Sequence, residues 1–277
     1  MISELVSQNV ESSYGKFAEA CISQRNQSIN GSMDHVLDLR HYEAKDLASV
    51  PQRALRLYSG CDNTIGHAAI QPGCSVVDLG CGGGLDIILA AHKVGEEGRV
   101  LGIDIAPEMI EQAKMAVVEA GLENRNKYFR AANIENFYLP PNFADILISN
   151  CVLNQCHDKV TVYKNIFRIL RPGGILYVSD IVLTEEIDPS LREHLQFSGG
   201  GCLEDVISEE DHRRILKKLC YLDIQVLDRH FLTTEELESL ASSPGNNSVS
   251  PLSREDLLHL KGKVAGITIT AMRQPAT

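Results

Sequence analysis

The segment Val76–Ala91 reads VVDLGCGGGLDIILAA. It passes from a short apolar stretch through a glycine cluster into helical spacing, the pattern of a strand–loop–helix unit that holds a nucleotide. The loop itself is Asp78-Leu79-Gly80-Cys81-Gly82-Gly83-Gly84. A dinucleotide fingerprint needs glycine or alanine three residues after Gly82, and that position is Leu85. The spacing is instead G-x-G-x-G behind an acid. Such a loop lets backbone approach an adenosyl ligand closely, while the Asp78 carboxylate meets an ammonium group. Cys81, inside the loop, reads as a small filler.

Working outward, CSVVDLG (74–80) is expected as a buried strand and GLDIILAAHKVG (84–95) as a helix closed by Gly95. RVLGIDI (99–105) is a second strand. APEMIEQAKMAVVEAG (106–121) is a helix with Pro107 near its start and Gly121 at its end. NKYFRAANI (126–134) and ADILISNC (144–151) are further strands. DKVTVYKNIFRILRPGG (158–174) is a helix with a Pro-Gly-Gly stop, leading into the strand ILYVSDIV (175–182). Alternating strands and helices mean a parallel sheet covered on both faces, with ligands beyond the carboxyl ends of the strands. Asp104, ending the second strand, is placed to accept both hydroxyls of a ribose. AANIENF offers Asn133, Ile134 and Glu135 to an adenine edge. Before residue 70 the spacing of Leu5, Val6, Val10 and Tyr14 is helical. After residue 183, SEEDHRRILKKLCYLDIQVLDRHFL reads as helix then strand, SSPGNNSVSP as a surface loop, and KVAGITITAMR as a last strand.

The 277 residues suffice for one large domain or a domain with an appendage. A formal net charge of −11 repels phosphate backbones, so nucleic acid is not an expected partner. No apolar run approaches the ~20 residues of a membrane span. MISELVSQNVESSYGKF has neither the basic start nor the apolar core of a signal segment, and a cytoplasmic location is expected. Asn26, Asn30 and Asn246, each in an Asn-x-Ser sequence, then carry no glycosylation meaning. In a reducing compartment the eight cysteines are buried fillers or chemically employed. No C-x-x-C pair occurs among Cys21, Cys61, Cys74, Cys81, Cys151, Cys156, Cys202 and Cys220, so no zinc ribbon is indicated.

The loop, the two acids, the alternation and the RPGG turn over residues 73–182 resemble the class I S-adenosylmethionine-dependent methyltransferases. That resemblance implies an α/β fold, a Rossmann-like, seven-stranded, mostly parallel sheet. It also implies a division into a helical N-terminal extension contributing to the active site (1–72), a cofactor-binding core (73–182) and a substrate-covering C-terminal region with the closing strands (183–277). The implied S-adenosylmethionine contacts are Asp78, Gly80, Gly82, Gly84, Asp104, Ile134, Glu135 and Asn150.

Three further stretches narrow the resemblance. YSGC holds Cys61, SNCVLN holds Cys151 directly after a strand, and GGGCLEDVIS holds Cys202. With HYEAKDLASVP and GKVAGITITAMR, these are similar to the arsenite methyltransferases over nearly the whole chain. The implied activity is methyl transfer to arsenite or methylarsenite, in arsenic detoxification or biotransformation, with a thiol reductant of the glutathione or thioredoxin type as partner. Cys61, Cys151 and Cys202 would bind trivalent arsenic, a soft ion that thiolates hold well. Three sulfurs leave the arsenic lone pair free to attack the sulfonium methyl, with no proton to remove. Tyr14 and Tyr58 are candidate lining for a pocket of low polarity. The family's N-terminal redox cysteine has Cys21 as its candidate here. Cys156 reads as a spectator or an added ligand, Cys74 and Cys220 as core, and His194 and His212 as surface residues. YSGCDNT lacks the second glycine and the proline expected after Cys61, and Cys81 stands where serine is commoner. Another soft metalloid, a thiol or a small organic metabolite therefore stays open as acceptor. So does a metalloid-sequestering protein without turnover, although the set from Asp78 to Asp104 speaks against it.

Overall fold

In the computed structural model, residues 2–23, 39, 42–123, 126–197, 201–241 and 252–276 are described. Helices α1 (Ile2–Ser23), α2 (Ala44–Leu47), α3 (Gln52–Arg56) and α4 (Thr64–His67) precede the sheet. The alternation follows as β1 (Ser75–Leu79), α5 (Leu85–Val94), β2 (Arg99–Asp104), α6 (Pro107–Glu119), β3 (Lys127–Ala131) and β4 (Ala144–Asn150). A 3₁₀ turn (Leu153–Gln155), α7 (Lys159–Ile169) and β5 (Leu170–Leu183) complete it. The remainder is α8 (Pro189–Phe197), α9 (Glu209–Lys218), β6 (Tyr221–Phe231), α10 (Thr234–Ala241), α11 (Arg254–Leu260) and β7 (Val264–Arg273).

The seven strands form one sheet in the order β3-β2-β1-β4-β5-β7-β6. β1 to β5 run parallel, and β7 lies antiparallel between β5 and β6. This is the Rossmann-like sheet expected from the sequence. β1 is buried at every position because β2 and β4 flank it and helices cover both faces. The chain order reverses between β1 and β4, so the crevice over their carboxyl ends is where a ligand belongs. RPGG does more than stop a helix. α7 ends at Ile169, and the pairing of Leu170 with Ala144 brings the glycines into a bulged start of β5.

Four apolar clusters stabilise this arrangement. One fills the face of the sheet under α7 and α9, and a second the face under α5 and α6. The third joins α8, α10, α11 and residues 202–206 over the ends of β5 and β7, with Cys151 and Cys202 inside it. The fourth seats α1 on Leu57 and on Met109 of α6. No described helix is long and apolar enough to cross a membrane. SSPGNNSVSP, Asn26, Asn30 and Asn246 lie outside the described residues.

Two residues sit where their local sequence did not place them. His212, expected on the surface, is only 1% exposed. The capping box of Ser208 and Asp211 sets the phase of α9 so that His212 and Leu216, one turn apart, face the sheet. Its Nδ1 pairs with the Tyr163 hydroxyl at 2.8 Å, and burial followed by the nearby Lys159 holds its pKa down to about 3. Cys220, expected in the core, is exposed at the turn between α9 and β6, with φ of 62°. Cys74 is half-buried, and the half-buried His194 pairs with Asp256 at 3.4 Å.

The glycine loop has a backbone reason as well as a binding one. Gly80 has φ of 78°, and a Cβ there would stand 2.1 Å from Val152 Cγ2. Gly121 also has a positive φ, 68°, but faces open space. Left-handed backbone costs a non-glycine residue ~1–2 kcal/mol, and only Gly80 adds a collision. Urea denaturation should find Gly80→Ala more destabilising than Gly121→Ala, the latter losing about 1 kcal/mol. Equal losses would mean that the loop relaxes around the new methyl.

Candidate active site

A cavity opens over the carboxyl ends of β1, β2 and β4. Asp78, Asp86, Asp104, Asn150 and Cys151 line it, together with Tyr14 and Tyr58. Gly80, Gly82 and Gly83 of the loop also face it; a Cβ on Gly83 would meet Leu57 Cβ at 2.6 Å, as one on Gly80 would meet Val152. Asp104 accepts backbone N–H bonds from Gly82 (2.9 Å) and Ala106 (3.0 Å), which ties the loop to the start of α6. Cys81 packs beneath the loop, where a Cβ on Gly102 would meet its sulfur at 2.8 Å. It is a filler, as its size suggested.

Asp86 is the residue that the motif did not single out. It lies in the first turn of α5, only 5% exposed. The Tyr42 hydroxyl donates to its Oδ1 at 2.7 Å, and Asn150 Nδ2 approaches Oδ2 at 3.5 Å. Burial raises its pKa to about 6, against the pull of these two donors. Asp78 is also raised, by burial and then by the charges of Asp86 and Asp104. Three carboxylates around one cavity fit a ligand carrying cationic groups.

The three cysteines approach each other at one end of this cavity. Cys151 Sγ and Cys202 Sγ are 2.9 Å apart, across 51 residues of chain. Cys61 packs against the same apolar cluster, near enough to Cys151 to raise the pKa of its thiol. Cys151 is a non-glycine residue at φ 59°, a conformation that persists only when its surroundings enforce it. Here its N–H donates to Ser179 O (2.8 Å) and its carbonyl accepts from Gln155 Nε2 (3.0 Å). Gln155 also donates to the Tyr14 hydroxyl at 3.0 Å, which brings α1 over the thiols. Both buried thiols have raised pKa values. For Cys151 the bond from Cys202 pulls down, but Cys61 and burial outweigh it. For Cys202 the bond to Cys151 and burial act together. Both are therefore protonated near neutral pH.

Other expected contacts take different parts. Asn150 faces the cavity but directs its amide at the Cys61 loop: Oδ1 accepts from Cys61 N (2.9 Å), and Nδ2 donates to Asp62 O (2.7 Å) and the Tyr58 hydroxyl (3.0 Å). The Glu135 carboxylate accepts from His157 N and Asp158 N, both at 3.1 Å, so its side chain braces the start of α7. Ile134 lines the cavity, and Asn133 Nδ2 donates to Ser7 at 2.8 Å. Cys156 is buried and donates to Val152 O at 3.6 Å. Cys21 is half-buried beside Arg56 O on α1. Asp62, standing where a small glycine was expected, is buried, with its carboxylate accepting from Thr268 of β7 and facing His67 at 3.6 Å.

Residues 70–219 match a family model described as a methyltransferase domain. Among curated proteins, an arsenite methyltransferase of Halobacterium salinarum is 35% identical over 67% of this chain and 46% of its own length. An arsenite methyltransferase of Mus musculus is 27% identical over 84% of this chain and 62% of its own. The chain thus spans about half the length of such relatives. An arsenic(III) S-adenosylmethionine methyltransferase from Chlamydomonas reinhardtii superposes with a TM-score of 0.67 at 27% identity, over 84% of this chain and 73% of that one.

The raised pKa of Asp86 has a consequence for stability. A carboxyl whose folded pKa lies near 6, above its unfolded value, favours folding most at low pH, and this contribution is lost as pH rises through 6. Asp86→Asn should therefore gain stability relative to wild type between pH 4 and pH 7, by about 1–3 kcal/mol without ligand. Parallel melting curves across that range check the sign. A difference that shrinks with rising pH would contradict the burial argument.

Proposed function

We infer that this chain, which belongs to the methyltransferase-domain family, transfers a methyl group from S-adenosylmethionine to trivalent arsenic held by Cys61, Cys151 and Cys202. The observation that carries the reading is the meeting of three thiols from separate parts of the chain beside a cavity ringed by carboxylates. The cofactor fits that cavity: glycines admit the adenosyl group, Asp104 suits its ribose, and Asp78 and Asp86 suit its cationic end. When bound, it supplies an electrophilic methyl on a sulfonium.

The remaining work falls to the protein. Arsenite brings three hydroxyl groups, and each can leave as water with the proton of one thiol. Thiols with raised pKa values are then ready reactants, and no separate base is required. The three sulfurs fix the arsenic so that its lone pair faces the cavity. Tyr14, Tyr58 and the apolar cluster around Cys202 exclude water. Positioning of this kind provides most of the acceleration. A thiol reductant of the glutathione or thioredoxin type would return the arsenic product and the thiols to their starting oxidation state. Cys21 is the candidate for a redox role, and Cys156 is a buried bystander.

Purified protein given arsenite, S-adenosylmethionine and a thiol reductant should release methylated arsenicals, separable by chromatography. Changing Cys61, Cys151 or Cys202 to serine should lower that rate at least ~100-fold, while Cys74→Ser and Cys220→Ser leave it within about twofold. Cofactor binding without any methylated arsenical would contradict the substrate. Full activity in Cys202→Ser would contradict the ligand set.

A further inference from the structure

A hydrogen-bond path runs from the cofactor cavity to the first thiol. The Tyr42 hydroxyl and Asn150 Nδ2 both point at the Asp86 carboxylate. Asn150 Nδ2 also holds the Tyr58 hydroxyl and Asp62 O, so its other end, Oδ1, must face Cys61. There it accepts the Cys61 N–H at 2.9 Å and meets the thiol at 3.8 Å. An amide has one acceptor end and one donor end, so whatever fixes Nδ2 fixes the orientation at Cys61. The Cys61 loop thereby takes its position from a carboxylate that borders the ligand cavity.

The charge on that carboxylate is sensitive to what occupies the cavity. Asp86 shares its surroundings with Asp78, Asp62, Tyr42 and Tyr58, and Asp104 faces Asp78 from β2. These are anions or hydroxyls, and none is a cation. A positive group entering the cavity favours the ionised form, and an ionised carboxylate holds the Tyr42 and Asn150 donors more tightly than a protonated one. A neutral ligand of the same shape lacks this effect.

We propose that Asp86 is a positioning residue that couples a cationic cofactor in the cavity to the alignment of Cys61 for the arsenical, acting through Asn150. The proposal rests on the cofactor and substrate reading given above. By linkage the coupling is reciprocal: the cationic ligand tightens arsenical binding by the factor by which the arsenical tightens the cationic ligand. It also gives the enzyme a way to distinguish reactant from product. Loss of the methyl group turns the sulfonium into a neutral thioether, and the grip on Cys61 relaxes when the product must leave.

The protein contains no tryptophan, so binding is read by calorimetry rather than intrinsic fluorescence. Arsenite is titrated into the full chain alone, with saturating sinefungin, which carries an ammonium where the cofactor carries its sulfonium methyl, and with saturating S-adenosylhomocysteine, which is neutral there. Wild type should bind arsenite at least 5-fold more tightly with sinefungin and less than 2-fold more tightly with S-adenosylhomocysteine. These ratios are read near pH 5.5, where Asp86 is largely protonated in the empty cavity and a cation can ionise it, and the sinefungin effect should fade above about pH 7, where Asp86 is ionised with or without the ligand. In Asp86→Asn it should fall below 2-fold and become flat with pH, and Asp86→Glu should restore part of it. Tyr42→Phe, which removes a single hydroxyl, should give an intermediate ratio and serves as the second variant if Asp86→Asn fails to fold. An undiminished ratio in Asp86→Asn or Tyr42→Phe, or equal effects of the two ligands on wild type, would overturn the coupling while leaving the methyltransferase reading intact. A wild type that binds no arsenite overturns that reading and the coupling with it.

Discussion

Asn150 ends β4 with a side chain directed at a different part of the chain. Its Oδ1 takes the N–H of Cys61, and its Nδ2 takes Asp62 O and the Tyr58 hydroxyl. The next residue is Cys151, held at a positive φ by the end of β5. One strand end therefore places a thiol directly and a second thiol through an amide. The third arrives from the C-terminal region, where α8, α10 and α11 pack around Cys202. The cavity, the thiol cluster and the covering region all depend on this junction staying formed.

The same junction explains why the centre is buried. Thiols of ordinary pKa in open solvent are partly ionised and exposed to oxidation. Here burial keeps both thiols protonated, aided at Cys151 by the neighbouring Cys61 and at Cys202 by its bond with Cys151, and Tyr14 and Gln155 close the remaining side. Burial has a cost on the other side of the wall. Asp78, Asp86 and Asp104 are carboxylates with little solvent, each with a raised pKa, and a cationic ligand would relieve them. An arrangement that is unfavourable in isolation and favourable when filled is a mark of a binding site rather than of a scaffold.

Much of this was legible in the sequence. The glycine loop fixed β1 and α5, and Pro107 and Gly121 bounded α6 to within about two residues. The parallel core followed from the alternation and KVAGITITAMR read as a last strand, whereas the order of the strands and the antiparallel seat of β7 came only with the structure. The thiol cluster was legible only through resemblance. Cys61, Cys151 and Cys202 share no spacing rule, because their meeting is set by sheet topology and not by local periodicity. Asp86 was hidden by its neighbours: an acid in a first helical turn reads as a favourable dipole contact. The available signal was that LDIILAA is otherwise apolar all round, so a charge within it has to be buried and employed. His212 misled for the opposite reason. EEDHRRILKK is polar by composition, and only the phase set by Ser208 shows that the histidine shares a face with Leu216. Asn150 and Glu135 line the cavity, and their side chains also bond within the protein, which sequence position does not show.

The central claim is that three sulfurs of this chain surround one arsenic atom. Arsenic K-edge X-ray absorption on protein loaded with one equivalent of arsenite measures that directly. The account predicts a first shell of sulfur alone, three atoms, with one sulfur replaced by oxygen in Cys202→Ser. An oxygen-only shell like that of free arsenite, or a sulfur shell unchanged in all three serine variants, would contradict it.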